Sequence, residues 1–364
     1  MPKNQVINIA IIGCGRISKN HIKSIILCYK NAQLVATCDI SEDNLKNAEC
    51  IFKEFATEIN IELNEPIKYN SYEKLLEDAN SKKINLDLII LATPSGLHAT
   101  QVEKAANAGI HICTEKPMAT TWSDGLKMVK ACEMNKVKLF VVKQNRFTEI
   151  LQHTKKQIDK GRFGKLSLVN VNVFWQRPQK YYDEENWRGT AKYDGGALMN
   201  QASHYVDLIT WLIGPVKNIS ASLATIGRKI EVEDTAAIQI KFINGALGTM
   251  AVTMLTFPRN LEASITILGE NGSVKIGGKT ANEIQHWEFA DQHDDDFMIE
   301  ELNNRSMKNV KIGHLPFYEN MLDAIRGKAY PICDGNEGLK SLEFIIAAYK
   351  SSNESNIVHL PLEN

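Results

Sequence analysis

Hydrophobic and polar positions follow two alternating patterns from the start of the chain to Lys143. Short runs rich in β-branched residues are separated by amphipathic stretches, a pattern typical of a parallel sheet covered by helices. The predicted strands are Val6–Ile12, Gln33–Asp39, Ile67–Asn70, Leu86–Thr93, Ile110–Thr114 and Leu139–Lys143. The predicted helices are Ile17–Tyr29, Glu42–Phe55, Tyr72–Asp78, Leu97–Asn107 and Ser123–Asn135. The sequence therefore predicts an α/β domain over residues 1–143.

The pattern changes after Lys143, where strands begin to follow one another directly. The predicted helices of this half are Ile150–Lys160, Ala197–Ile213, Leu315–Arg326 and Asn336–Ser351. The predicted strands are Leu168–Trp175, Ile219–Thr225, Asp234–Phe242, Ala246–Leu255, Ala263–Leu268 and Ser273–Ile276, with a hairpin at Asn271-Gly272. Consecutive strands without intervening helices indicate an antiparallel sheet, so we expect an α+β domain over residues 144–364.

Composition excludes several classes of protein. The 42 Lys and Arg residues balance 43 Asp and Glu residues, so there is no general basic field for a nucleic acid or an anionic membrane. No apolar run approaches the about 20 residues that cross a bilayer, and Met1–Gln5 lead into the first strand without a cleavage-site pattern. The seven cysteines form no Cys-x-x-Cys pair, which argues against zinc and disulfides and favours a reduced cytoplasmic chain. The acidic run Asp291–Asp296 is interpreted as a solvated loop, and no metal is expected.

A glycine turn lies where the first strand becomes the first helix, at Ile11–Ser18. Gly13 permits a tight turn and Gly15 permits close approach of a pyrophosphate to the helix N-terminus. Asp39 ends the second strand, where it can accept hydrogen bonds from ribose hydroxyls and repel a 2′-phosphate. Because Ile40 supplies no positive charge, NAD is predicted in preference to NADP.

Two further segments lie at the carboxyl ends of strands, the edge at which open parallel sheets bind ligands. Thr93-Pro94 follows the fourth strand, with His98 beyond it, and Glu115-Lys116-Pro117 follows the fifth. On spacing alone His98 is a packed residue. Lys116 is either an ordinary surface lysine or a cation that holds a substrate hydroxyl and stabilises charge on its oxygen.

Together these motifs resemble the Gfo/Idh/MocA oxidoreductases, as does Gly195–Asp207 in the second half. The resemblance spans essentially the whole chain. It implies an α/β Rossmann dinucleotide-binding domain, then an α+β domain with a large, mostly antiparallel open sheet whose exposed face makes dimers or tetramers. The cofactor-binding residues that it implies are Gly13, Gly15, Arg16, Ile17, Asp39, Thr93, Pro94, His98, Glu115, Lys116 and Gln144. The implied substrate-binding residues are Lys116, Arg146, Asn200, Gln201 and His204, with Lys116 and His204 catalytic.

His204 is the expected general base, since an imidazole titrates near neutral pH and can remove a hydroxyl proton. Asn200 lies four residues earlier, a spacing that places both on one face of an α-helix. The family often has Asp at the position of Asn200. Because Asn cannot take up a proton, the base chemistry falls to His204 together with Lys116.

A closer resemblance rests on longer strings, at 142–147, 160–164, 175–182, 187–190 and 199–204. They are similar to dehydrogenases that act on UDP-N-acetylglucosaminuronic acid, a subgroup that the Asn200-Gln201 pair also fits. Those enzymes oxidise the C3 hydroxyl of the sugar with NAD, supplying a 3-keto sugar to an aminotransferase in the synthesis of bacterial surface polysaccharide (O-antigen, lipopolysaccharide). The resemblance also implies that 2-oxoglutarate reoxidises the NADH.

The loops between the strands contain groups suited to such a substrate. Arg146, Arg177 and Arg188 can grip a diphosphate or a carboxylate. The nearby aromatic residues, Trp175, Tyr181, Tyr182 and Trp187, either stack on the substrate or anchor the fold. Two other functions stay open from the sequence: a different sugar or inositol dehydrogenase of the family, and a non-catalytic NAD-binding regulator.

Overall fold

The computed structural model describes residues 5–308 and 314–363. Residues 1–4, where the sequence analysis found no cleavage-site pattern, lie outside this part. The described residues divide into two compact units. The first contains the residues up to Ala119, Ser123–Gln144 and His314–Leu339, and the second contains the rest.

The sequence predicts that residues 144–364 form one domain, but residues 314–339 pack with the first unit. The helix His314–Ile325 contacts the helix Ser18–Leu27. The following segment pairs with the edge of the first sheet, where the Val141 amide donates to the Cys333 carbonyl at 3.0 Å. The chain therefore returns to the first unit after building most of the second.

The first unit is built on a parallel sheet. Its strands are β1 Ile7–Ile12, β2 Ala32–Cys38, β3 Ile67–Tyr69, β4 Leu88–Leu91, β5 His111–Thr114 and β6 Leu139–Val141. Its helices are α1 Ser18–Leu27, α2 Glu42–Glu58, α3 Tyr72–Asn80, α4 His98–Asn107, α5 Trp122–Met134 (whose first residue is assigned to the second unit) and α10 His314–Ile325. Among the described residues the strand order is β3-β2-β1-β4-β5-β6, with every pairing parallel. The α/β Rossmann prediction is confirmed.

The central strands of this sheet are mostly apolar, as expected of a parallel sheet covered by helices. All four residues of β4 are fully buried. The predicted start of α2 is also confirmed: the Ser41 hydroxyl accepts a hydrogen bond from the Asn44 amide at 3.3 Å, and Glu42 and Asp43 lie in the first turn. Because every pairing is parallel, the carboxyl ends of all six strands lie along one edge of the sheet.

The second unit is built on a mixed, mostly antiparallel sheet, as predicted. Its strands are β7 Leu166–Phe174, β8 Val216–Ala224, β9 Thr235–Phe242, β10 Leu247–Thr253, β11 Glu262–Gly269, β12 Gly272–Gly277, β13 Glu283–Phe289 and β14 Val358–His359. Its helices are α6 Glu149–Asp159, α7 Gln179–Asp183, α8 Ser203–Ile213, α9 Ile299–Lys308 and most of α11 Gly335–Glu354. In the described residues the order is β13-β12-β11-β7-β10-β9-β8-β14, and β7 pairs with β10 in parallel.

The predicted hairpin at Asn271-Gly272 joins β11 to β12 and is confirmed. The sequence did not predict β13 or α9. β13 is an edge strand whose residues are mostly polar or partly exposed, so its alternation is weak. Across residues 5–308 and 314–363, every helix is too short or too polar to cross a membrane.

Candidate active site

The turn after β1 has the geometry that a dinucleotide requires. Gly13 has φ +91°, and a Cβ there would lie 2.6 Å from the Ala92 carbonyl oxygen, so only glycine fits. Gly15 is exposed, and a Cβ there would meet nothing within 4 Å. Its lack of a side chain leaves open space beside the start of α1. Ser18, at the third position of the motif, is buried and donates its hydroxyl to the Gly15 carbonyl at 2.7 Å.

Asp39 directly follows β2 and is fixed against this turn. Its Oδ2 accepts a hydrogen bond from the Cys14 amide at 2.7 Å, and its Oδ1 accepts one from the Ser41 amide at 2.8 Å. The next residue, Ile40, is 96% exposed and brings no positive charge. A carboxylate held here suits two ribose hydroxyls and opposes a phosphate.

The segment after β4 holds two of the predicted cofactor-binding residues. Thr93 is half-buried and donates its hydroxyl to the Gln101 side chain at 2.6 Å. His98 is fully buried, with ring nitrogens 3.0 Å from the Thr93 carbonyl and 3.2 Å from the Met118 carbonyl. Burial lowers its pKa. His98 therefore joins the loops that follow β4 and β5, and its contact with the cofactor stays a prediction.

The loop after β5 places a half-buried lysine beside a buried carboxylate. Glu115 is 9% exposed; its Oε1 lies 3.0 Å from His21 Nε2, and its Oε2 accepts the Lys116 amide at 3.1 Å. Burial opposes ionisation, but the hydrogen bond and the positive charge of His21, with smaller contributions from His314 and Lys116, hold the pKa of Glu115 at about 2. Glu115 is thus anionic, and both of its oxygens contact groups of the protein in this loop. Its contact with the cofactor stays a prediction.

Gln144 follows β6 and begins a 3₁₀ turn. Its Oε1 is buried, and no hydrogen bond to it is formed within the described residues. A buried acceptor of this kind is satisfied when a ligand brings a donor. The predicted residues Gly13, Asp39, Thr93, Lys116 and Gln144 each follow a different strand at the carboxyl edge of one sheet. The residues present fit NAD.

In the second unit, the predicted helix Ala197–Ile213 has two parts. Residues Ala197–Gln201 form a π-helix, and α8 begins at Ser203. π-turns recur at functional sites because they redirect side chains. His204 is half-buried in the first turn of α8. Because the π-turn interrupts the regular period, a shared face for Asn200 and His204 no longer follows from their spacing.

A buried carboxylate that the sequence analysis did not select holds the start of this segment. Glu233 Oε1 accepts the Leu198 amide at 2.8 Å and the Tyr349 hydroxyl at 3.1 Å. A Cβ at Gly196 would lie 1.9 Å from Glu233 Oε2, so a side chain at Gly196 is excluded. Burial raises the pKa of Glu233 to about 7. We name Gly196, Glu233 and Tyr349 the glutamate clamp.

Asn200 is oriented by a second buried carboxylate. The Asn200 amide nitrogen donates to Asp194 Oδ1, and Asp194 Oδ2 accepts the Gly189 amide at 2.8 Å. Because an ionised carboxylate only accepts, the Asn200 nitrogen must face Asp194. The Asn200 carbonyl oxygen is therefore directed away from that carboxylate.

Gln201 belongs to an arginine and aromatic cluster built from the strings of the closer resemblance. Its Oε1 accepts from Arg177 Nε and Nη2 at 3.1 and 2.8 Å, and its Nε2 donates to the Tyr181 hydroxyl at 3.1 Å. The Arg177 guanidinium lies 5.1 Å from the Trp175 ring, and that of Arg188 lies 4.5 Å from the Tyr181 ring. The structure brings these residues together within the second unit.

Arg146 is held by a buried ion pair. It is 1% exposed, and its Nε and Nη2 bind the two Asp207 oxygens at 2.8 and 2.6 Å. A bidentate pair of this kind fixes the guanidinium, and contact of Arg146 with an anionic substrate stays a prediction.

The acidic run at Asp291–Asp296 is partly exposed, as expected of a solvated loop, but it is also paired. Asp291 and Asp296 bind Arg162, and Asp295 binds Lys156 and Lys160 on either side of the end of α6, while Asp291 and Asp294 stay exposed. No group of three or more His, Cys, Asp or Glu side chains able to hold a metal ion occurs in the described part of the chain.

Comparisons with known proteins cover both halves. A family model described as "Oxidoreductase family, NAD-binding Rossmann fold" matches residues 7–143, and one described as "Oxidoreductase family, C-terminal alpha/beta domain" matches residues 155–360; both are Gfo/Idh/MocA models. The WlbA dehydrogenase of Bordetella pertussis, solved with NADH and UDP-GlcNAcA, is 46% identical, with TM-score 0.92 and 99% of each chain covered. The WlbA dehydrogenase of Chromobacterium violaceum, solved with the same two molecules, is 48% identical, with TM-score 0.90, covering 100% of this chain and 99% of that one. D-apiose dehydrogenase of Paraburkholderia graminis is 23% identical over 362 residues, covering 96% of this chain and 89% of the relative.

Proposed function

Because this chain belongs to the Gfo/Idh/MocA oxidoreductase family, we propose that it uses NAD to oxidise the C3 hydroxyl of UDP-N-acetylglucosaminuronic acid (UDP-GlcNAcA) to a 3-keto sugar. The observation that carries the proposal is whole-chain identity of 46–48% to two dehydrogenases solved with NADH and that nucleotide sugar. The strings of the closer resemblance lie in the loops and the helix that carry Arg177, Asn200 and His204.

The chain supplies groups for each part of the reaction. Bound NAD supplies the hydride acceptor. His204 takes the proton from the C3 hydroxyl, for which the near-neutral pKa of an imidazole is suited. The Lys116 ammonium donates a hydrogen bond to the same oxygen and stabilises the negative charge that develops there. Asn200, oriented by Asp194, supplies a carbonyl acceptor to substrate hydroxyls, and Gln201 with Arg177 supplies the positive side of the substrate site.

The cofactor is held by the carboxyl edge of the parallel sheet. The Gly13–Ile17 turn approaches the pyrophosphate, and Asp39 accepts hydrogen bonds from the adenine ribose. The open space at Gly15 and the buried, unsatisfied oxygen of Gln144 support this placement. The proposed cofactor-binding residues are Gly13, Gly15, Arg16, Ile17, Asp39, Thr93, Pro94, His98, Glu115, Lys116 and Gln144.

The wider setting extends the same proposal. The enzyme works in the cytoplasm as a homodimer or homotetramer, passing its 3-keto product to an aminotransferase for surface polysaccharide, including lipopolysaccharide. 2-Oxoglutarate reoxidises the NADH.

Mass spectrometry of nucleotides released from the purified protein tests the cofactor, and a screen of nucleotide sugars with NAD tests the substrate. We expect NAD or NADH to be released, and a ketone at C3 to appear by NMR only with UDP-GlcNAcA. Release of NADP, or oxidation at C4, would contradict the assignment.

A further inference from the structure

Tyr318, His21 and Glu115 form a buried hydrogen-bond network next to Lys116, entirely within the first unit. The Tyr318 hydroxyl is 2.8 Å from His21 Nδ1, and His21 Nε2 is 3.0 Å from Glu115 Oε1. His21 and Tyr318 are fully buried, and Glu115 is 9% exposed. Local sequence patterns do not predict this network, because Tyr318 lies 297 residues after His21.

The ionised carboxylate fixes the direction of the inner hydrogen bond. Glu115 is ionised and can only accept, so His21 Nε2 donates to it. Burial raises the pKa of Tyr318 well above its usual value, so its hydroxyl keeps its proton. The His314 ring packs edge-on against His21 at 5.9 Å, and burial lowers the pKa of His314 to about 4. Both ring nitrogens of His21 have a partner within the first unit.

The hydrogen-bond network connects two functional parts of the dinucleotide domain, the start of α1 and the loop that contains Lys116. His21 lies in the first turn of α1, directly after the glycine turn. Glu115 precedes Lys116, and its second oxygen accepts the Lys116 backbone amide at 3.1 Å. His21 thus holds one oxygen of the carboxylate whose other oxygen holds the backbone of the lysine.

We propose that His21 is a positioning residue for Lys116, acting through Glu115, a role that rests on the proposed dehydrogenase function. Without the donor at His21, Glu115 is a buried carboxylate with one partner fewer. It must then take up a proton or turn toward water, and either change loosens the bond to the Lys116 amide. The ammonium of Lys116 then loses the fixed placement on which its interaction with the substrate oxygen depends.

Matched substitutions separate this role from simple packing. His21→Gln keeps an N–H for Glu115 and an oxygen that accepts from Tyr318. His21→Leu fills the space and removes both groups. Tyr318→Phe removes only the outer hydrogen bond and leaves the contact between His21 and Glu115.

The experiment measures kcat and KM with NAD and UDP-GlcNAcA, NADH affinity by fluorescence titration, and the melting temperature of each variant. We expect His21→Leu to lower kcat by about 10²-fold, the scale of a misplaced catalytic group, with KM and NADH affinity near native. His21→Gln should recover most of kcat, and Tyr318→Phe should retain more of it than His21→Leu. A residue that only packs would lower the melting temperature and leave the kcat of the folded variant unchanged.

Two results overturn the inference: a folded His21→Leu variant with native kcat, or equal loss of kcat in His21→Leu and His21→Gln. If His21→Leu does not fold, Glu115→Gln provides the test, since His21 and the Lys116 amide donate to different carboxylate oxygens and Gln replaces one of these oxygens by an NH2 group that cannot accept. A drop in its kcat with native NADH affinity supports the inference, and native kcat contradicts it. A native enzyme that oxidises no nucleotide sugar would contradict the proposed function and the inference with it, whereas equal activity of native enzyme and His21→Leu contradicts the inference alone.

Discussion

The Asp39 carboxylate accepts a hydrogen bond from the Cys14 backbone amide at 2.7 Å, so the acid that ends β2 is tied to the turn that follows β1. A second bond, from the Ser41 amide, fixes its other oxygen. The negative charge therefore has a defined position beside the start of α1. Cofactor preference in this chain follows from that placement.

Replacement of Asp39 by Ala should weaken NAD binding and narrow the preference over NADP. Loss of a hydrogen bond to a charged group costs on the order of 1.5–3 kcal/mol, and removal of the carboxylate also removes repulsion of the 2′-phosphate. Titration calorimetry with both cofactors measures the change. Asp43→Ala removes an equal charge from the exposed first turn of α2 and serves as the control. Equal affinity of the native protein for NAD and NADP would refute the role of Asp39.

Substitution by Ala should have different effects on stability at Gly13 and at Gly15, which lie in the same turn. Gly13→Ala places a Cβ 2.6 Å from the Ala92 oxygen at a positive φ, so we expect a loss of at least about 1–2 kcal/mol of stability together with NAD binding. Gly15→Ala meets no protein atom within 4 Å and should keep native stability while it weakens NAD binding. Denaturant unfolding and NADH titration test the pair. A stable Gly13→Ala protein that binds NADH normally is the contrary result.

The glutamate clamp should make stability depend on pH. The pKa of Glu233 is raised by burial from 4.5 to about 7, so the folded chain holds this proton more tightly than the unfolded chain. The stability that comes from this proton is fully present below about pH 4.5 and is lost as the pH rises through 7. The loss in the free energy of unfolding is on the order of 3 kcal/mol, since one pKa unit corresponds to about 1.4 kcal/mol.

Glu233→Gln should flatten that pH dependence, because the amide oxygen still accepts from Leu198 and Tyr349 but carries no charge. Unfolding free energies measured from pH 5 to pH 8 give the comparison. Glu270→Gln, at an exposed site, should behave like the native protein. The clamp account fails if Glu233→Gln and the native chain lose stability in parallel over this range.

Lys116→Met and His204→Asn should each reduce turnover. For His204 we expect a loss of about 10²–10⁴-fold, the usual contribution of a general base. NAD affinity should stay near native in His204→Asn, because this residue lies in the second unit and serves the substrate. Steady-state kinetics and NADH titration distinguish the two effects. Native turnover by His204→Asn would make the histidine structural.

Much of the first unit could be predicted because its signals are local. The strands, the cap at Ser41, the turn at Gly13 and the acid at Asp39 each depend on a few neighbouring residues. Contacts between distant residues carried no such signal. Arg146 pairs with Asp207, 61 residues away, and this buried pair was not predicted.

In the second unit, too, contacts between distant residues could not be predicted from local sequence patterns. Glu233 and Tyr349 meet at Gly196 only after the sheet and α11 have formed, and no local pattern marks either residue. The π-turn at Ala197–Gln201 has the apolar pattern of an ordinary helix, so its period could not be read from the sequence. The motif residues were found, and the buried groups that hold them were missed.

The most direct test of the central claim compares kcat/KM for UDP-GlcNAcA and for UDP-N-acetylglucosamine, which differ only at C6. Because alcohol oxidation by NAD is uphill, the assay includes 2-oxoglutarate as acceptor. A site that binds the carboxylate leaves donors unpaired with the neutral sugar, and such sites discriminate by up to about 10⁴-fold. We predict rapid formation of a 3-keto product from the acid and poor turnover of the neutral sugar. Comparable kcat/KM values for the two would contradict the account and return the chain to the broader family of sugar dehydrogenases.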